Sequence, residues 1–182
     1  MLIPPAPVIT AAHLVTYLRG SLDLLPSELR LSSNDVVSGH PAPAEWCAKE
    51  CVGHLIEVER HGFNGMIAGI LKERDHLQPD WDPDAVHATR NDCAGSVEGL
   101  MTEFVRLRED SIAILSKLDH DDLHRSGTHR WRGPITVGGL LRPWLNHERM
   151  HFRQALATLD AVGSAIACDL AARGEPIPAE DH

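Results

Sequence analysis

Aromatic residues make up only 4% of this 182-residue chain, so its core has to be built from Leu, Ile, Val and Ala, side chains at home on helix faces. Basic residues are also scarce: 17 Lys and Arg against 26 Asp and Glu leave a formal charge of −9. A chain of that sign without clustered Lys or Arg repels phosphate backbones and anionic lipid, so neither nucleic acid nor a membrane is expected as a partner. No apolar run approaches the ~18 residues that span a bilayer, and no basic stretch precedes an apolar one near the start. The four cysteines (Cys47, Cys51, Cys93, Cys168) do not resemble a secreted disulfide framework. Cys47 and Cys51 lie four apart in one expected helix, a poor geometry for a bridge. The expectation is a reduced, soluble, cytoplasmic protein.

What is present is a chain with 43% hydrophobic residues and twelve histidines. Its length fits one self-sufficient domain, residues 1–182, with a core over about 8–162 and a frayed tail over 171–182. After a proline-rich lead-in over 1–9, Thr10 is placed to cap a helix over 10–24, which Pro26 should end. Residues 31–45 read as loop. A second helix is expected over 45–74, with Val52, Leu55, Ile56, Phe63, Met66, Ile67 and Ile70 on one stripe. Residues 75–88 read as loop, with two prolines and four aspartates. A third helix over 89–118 follows the 4-3-4-3-4 seam Leu100, Phe104, Leu107, Ser111, Ile114, Leu118. Residues 119–135 are polar. A fourth helix runs from a Thr136 cap to about Val162. No stretch reads as a strand, so the fold class is all-α, an antiparallel four-helix bundle.

Two histidines interrupt the seam of the fourth helix. His147 and His151 continue the face marked by Leu140, Trp144 and Ala155, because residues four apart stack on one helix face. Burying imidazoles costs a few kcal/mol unless they are satisfied, and His-x3-His is a spacing at which two ring nitrogens reach a common ion. His54 stands beside the apolar stripe of the second helix, where it can supply a third nitrogen. Three imidazoles with open positions are the layout of a reactive metal site; hydrogen bonding of core histidines to carbonyls or carboxylates is the alternative.

These residues carry a family resemblance. The stretch WCAKECVGHL over 46–55, GPITVGGLL over 133–141 and NHERMHFRQAL over 146–156 resemble the DinB-like superfamily. That group includes thiol S-transferases and metal-dependent hydrolases. The resemblance covers about residues 8–160. It implies an up-down-down-up bundle with a long crossover, and metal ligands at His54, His147 and His151. It also implies zinc or nickel as the metal, a low-molecular-weight thiol as a co-substrate, a small-molecule substrate, and a homodimer. The pair Cys47 and Cys51 below His54 departs from the pattern of a typical thiol transferase.

Other residues have two readings each. Glu57 is a candidate catalytic base or a solvated carboxylate, and Arg149 and Arg153 are candidate anchors for an anionic thiol. Glu148 points about 100° away from the face of His147, toward the surface or a supporting role. His61 is a candidate pocket wall, and Cys51 is core filler or a soft ligand. Trp131 and Arg132 either overhang the site or pack. His76, His87, His124 and His129 fall in polar segments and read as solvated.

Overall fold

The computed structural model describes residues 8–176; the first seven residues of the lead-in and the last six of the tail lie outside the described residues. Four long helical segments form the bundle. These are α1 (Ala11–Leu31), α3 (Ala48–Glu57) continued through a π-helical turn (Val58–Phe63) into α4 (Asn64–Lys72), α6 (Val97–Leu115) and α8 (Val137–Arg173). Shorter pieces fill the connections: α2 (Asn34–Ser38), α5 (Pro83–Arg90), α7 (His120–His124), and a hairpin of β1 (Ser126–His129) and β2 (Gly133–Thr136).

Helix directions follow from the core. One end gathers Leu25 and Leu29 of α1, Val52 and Leu55 of α3, Leu100 and Phe104 of α6, and Ala155 and Leu159 of α8. The other gathers Leu14 and Leu18, Met66 and Ile67, Ile112 and Leu115, and Leu140 and Trp144. The beginnings of α1 and α8 therefore share one end, and those of α3 and α6 share the other. The topology is up-down-down-up, as the family resemblance implied.

Several boundaries differ from the sequence reading. α1 passes through Pro26 instead of stopping before it, because Leu25 and Leu29 on either side are fully buried. Their burial outweighs the roughly 3 kcal/mol that an interior proline costs. The loop at 31–45 contains α2, capped by Ser33, which accepts from the amide of Val36. The stretch expected as loop over 75–88 ends in α5, and the third helix starts at Val97 rather than at residue 89. Between them the chain turns through Asn91 at φ 53° and a short 3-10 turn, Asp92–Ala94. The polar stretch 119–135 folds into α7 and the hairpin, so the chain is not free of strands.

α8 continues eleven residues past the expected end, to a left-handed cap at Gly174. Gly163 does not stop it, and the tail therefore begins later than residue 171. By length and composition α8 could cross a membrane, its most apolar 18 residues having a mean hydropathy of 1.5. Its first half is committed to the bundle through Leu140, Leu141, Trp144 and Leu145.

At the centre of the bundle Arg108 is fully buried between Glu59 of the π-helical turn and Glu148 of α8, at 3.1 and 2.9 Å. Glu148 also accepts from the indole N–H of Trp144 at 3.1 Å. Burial opposes the charge on Arg108, but Glu148 and Glu59 together hold its pKa above the ordinary value. Burial pushes the Glu59 carboxyl up, against the pull of Arg108. Glu148 is thus a core residue, and the surface reading is corrected.

Candidate metal centre

α3 and α8 run antiparallel, and their packing brings His54 opposite one turn of α8. His147 and His151 stand four residues apart there, one above the other on the same face of the helix. Nε2 of His54 lies 3.1 Å from Nε2 of His147, and the three rings stand 4.4 to 5.1 Å apart between centroids. One nitrogen from each ring lies within 4.8 Å of the others. The convergence expected from sequence is present.

The rings are held as neutral donors. Burial pushes the pKa of His54 down to about 4, with His151 and His87 adding to the effect. Burial likewise pushes His147 down to about 3, helped by His151, His54 and Arg108. His151 is lowered by burial despite the opposing influence of Gln154 and Glu148. Gln154 Oε1 lies 2.8 Å from Nδ1 of His151; a carbonyl oxygen only accepts, so Nδ1 carries the proton and Nε2 offers its lone pair. Nδ1 of His147 is buried without a hydrogen-bond partner among the described residues. Three uncharged nitrogens, one with its tautomer fixed, form a donor set that fits a divalent ion such as zinc.

An aromatic residue closes one side. The Trp46 ring lies 4.9 Å from that of His54, 5.9 Å from His151 and 4.2 Å from His87. Beside Trp46 and His151 opens a groove of about 680 Å³ between α8 and the segment before α3. Pro41, Ala44, Gln154, Ala157 and Ala161 contribute to its walls, and no lysine or arginine lines it among the described residues.

Other candidates lie elsewhere. Glu57 is buried and held by Arg90 at 2.6 Å, by Arg60, and by His61 at 3.3 Å. Arg60 and Arg90 also hold Glu103, and Arg90 pairs with Asp92 at 2.8 Å. Glu57 is therefore neither solvated nor part of the histidine cluster; it anchors the chain between α5 and α6 to α3. Gly53 permits this anchoring, since a Cβ there would meet Asp92 Oδ2 at 1.8 Å.

Arg149 and Arg153 are exposed. The Arg149 guanidinium lies 5.6 Å from the Tyr17 ring centroid, and both arginines bear on the Tyr17 hydroxyl. They face α1 rather than the groove. His61 is half-exposed and lies 5.5 Å from the ring of Trp81. Trp131 is 62% exposed at the hairpin turn, its ring 5.9 Å from that of His129, and it is no part of the core. Cys51 is fully buried in the core, and burial pushes its thiol up to about 12, which fits filler and not a ligand.

Three features escaped the sequence reading. His87 is not solvated: it sits on α5 against Trp46. Asp82 accepting from the Ala85 amide, followed by Pro83 in the first helical position, was the available sign of α5. His76 is also largely covered, packed over Gly69 with Nδ1 2.6 Å from Glu73. Finally, Cys47 forms a disulfide with Cys93, at an S–S distance of 2.18 Å and 46 positions away. The expectation of fully reduced thiols is corrected. Only the unforeseen turn between α5 and α6 brings Cys93 to the start of α3.

Residues 12–155 match the family model described as the DinB superfamily. No curated protein matches the sequence. Among solved structures, the chain is similar to YfiT from Bacillus subtilis, described as a probable metal-dependent hydrolase with an unusual four-helix bundle topology. The TM-score is 0.72 at 14% identity, over 90% of this chain and 93% of that one. At that identity the likeness concerns the fold.

Proposed function

The chain belongs to the DinB superfamily, and from that premise we propose that it is an enzyme that binds one divalent metal, zinc or nickel, through His54, His147 and His151. Its reaction is the attack of a small nucleophile on an electrophile held in the adjoining groove. The observation that carries this reading is the meeting of three neutral imidazoles, one of which, His151, lines an open, largely apolar groove. A divalent ion there supplies Lewis acidity, which lowers the pKa of a thiol or a water molecule into the neutral range.

The chain's own contribution is positional. Gln154 orients the His151 ring, Trp46 backs His54 and His151, and burial keeps the imidazoles free of protons that would compete with an ion. The groove has room for a small thiol beside an electrophile. We take a low-molecular-weight thiol as the first nucleophile to test. A strongly anionic thiol fits less well, because Arg149 and Arg153 lie toward Tyr17.

Water as the nucleophile is the second reading. The description of YfiT as a probable metal-dependent hydrolase favours it, and so does a groove lining without Lys or Arg among the described residues.

Elemental analysis of the purified chain tests the first step, with about one zinc or nickel expected per chain and its loss expected in His151→Ala. Incubating metal-loaded protein with a test electrophile, with and without added thiols, tests the second. A metal-dependent conjugate supports thiol transfer. Metal-dependent product without thiol supports hydrolysis. Neither product with any thiol or substrate class would leave a binding protein.

A further inference from the structure

A second group of ligating side chains lies at the start of α3. Cys47, Cys93, His40 and Glu50 each offer one ligand atom, all within 4.8 Å of one another. None belongs to the three-histidine centre. Cys47 precedes the first residue of α3, Glu50 lies on its first turn, Cys93 comes from the turn after α5, and His40 from the loop after α2.

The orientation of His40 is the informative detail. Its Nδ1 lies 2.7 Å from the carbonyl oxygen of Glu45, so Nδ1 carries the proton and Nε2 presents a lone pair. Nε2 lies 3.7 Å from Cys93 Sγ. In the disulfide that sulfur has no proton to give, so the imidazole faces an atom that cannot satisfy it. An imidazole whose Nδ1 donates to a carbonyl while its Nε2 faces a cysteine sulfur has the arrangement of a metal-ligating histidine. Glu50 accepts the Cys47 amide through Oε2 at 2.8 Å, which orients its carboxylate beside the sulfurs. Two sulfurs, one imidazole and one carboxylate are a tetrahedral zinc set.

We propose that reduction of the Cys47–Cys93 disulfide creates a zinc site formed by Cys47, Cys93, His40 and Glu50, so that this corner is closed either by a disulfide or by zinc. An external dithiol gives two electrons and two protons to the S–S bond and is itself oxidised to its disulfide. Zinc then displaces the two thiol protons and binds the thiolates. In both states the clamp joins the segment after α5 to the start of α3, beside Trp46 and His87.

The test uses the full chain, a phosphine reductant and cobalt(II) as the spectroscopic probe for zinc. Alkylation before and after reduction counts free thiols. Reduced protein should gain thiolate-to-cobalt absorption that oxidised protein lacks, with a second metal equivalent beyond the histidine centre. The band should persist in His151→Ala, which separates this site from the first, and in Cys168→Ser, which changes an exposed cysteine. It should vanish in Cys93→Ser, and affinity should fall roughly tenfold or more in His40→Ala. His40 is exposed, so that variant should keep the helical circular dichroism of the parent. A reduced, folded protein with both thiols free and no such band overturns the proposal. So does a band unchanged in Cys93→Ser, or a disulfide that resists reduction while the chain stays folded.

Discussion

Gln154 Oε1 and His151 Nδ1 stand 2.8 Å apart, one turn along α8, and this contact decides which nitrogen of His151 faces the centre. Replacing Gln154 with Ala frees the ring to rotate and to change tautomer. Metal affinity, read by competition with a chromophoric chelator, should fall about 10- to 100-fold with no change in helix content. Unchanged affinity would remove Gln154 from the account of the site.

The metal-free protein should lose stability on mild acidification. His54 and His147 have folded pKa values of about 4 and about 3, below the ordinary 6.5, because burial disfavours the charged ring. The unfolded chain therefore binds more protons over this range. Stability is complete above about pH 6.5 and declines as pH falls toward 3, the lower of the two folded values. Thermal melts across that interval check this, and replacing His147 with Gln should flatten the profile.

Arg108 balances two buried carboxylates, Glu59 and Glu148. Arg108→Met should leave both without their cation and destabilise the bundle by about 3–5 kcal/mol in urea titration. A milder loss is expected when Glu59→Gln accompanies it, because one uncompensated charge is then gone. Equal losses in the single and double variants would show that the cluster is not electrostatically coupled.

Gly53→Ala tests the close approach of α3 to the Arg90–Asp92 pair. Alanine is the better helix former by about 1 kcal/mol, but its methyl would strike a buried carboxylate fixed by Arg90. Net destabilisation of about 1–3 kcal/mol is expected, with earlier proteolysis between α5 and α6. Stabilisation would mean that Asp92 moves aside freely.

Periodicity made the bundle legible. Seams such as Leu140, Trp144 and Ala155 or Leu100, Phe104 and Leu107 state which face is buried, whatever the neighbour is. The same logic exposed His147 and His151, since a polar residue on an apolar seam shows in one dimension. Punctuation was less reliable. Pro26 and Gly163 read as stops, yet α1 and α8 run through both, because packing and helix continuity outweigh a local propensity of a few kcal/mol at most.

By itself the sequence determined the all-helical core, the caps at Thr10 and Thr136, and the placing of His147 and His151 on one buried seam, each encoded by residues close along the chain or by a repeated spacing. His54, 93 positions before His147, was legible as their partner only through the family resemblance. Only the tertiary structure decided that Cys47 pairs with Cys93, that His87 rests on Trp46, and that Glu57 anchors arginines instead of serving the centre. Those partners are separated by up to 46 positions and meet across irregular turns. No helical or strand period relates them, so their meeting depends on how the connections fold.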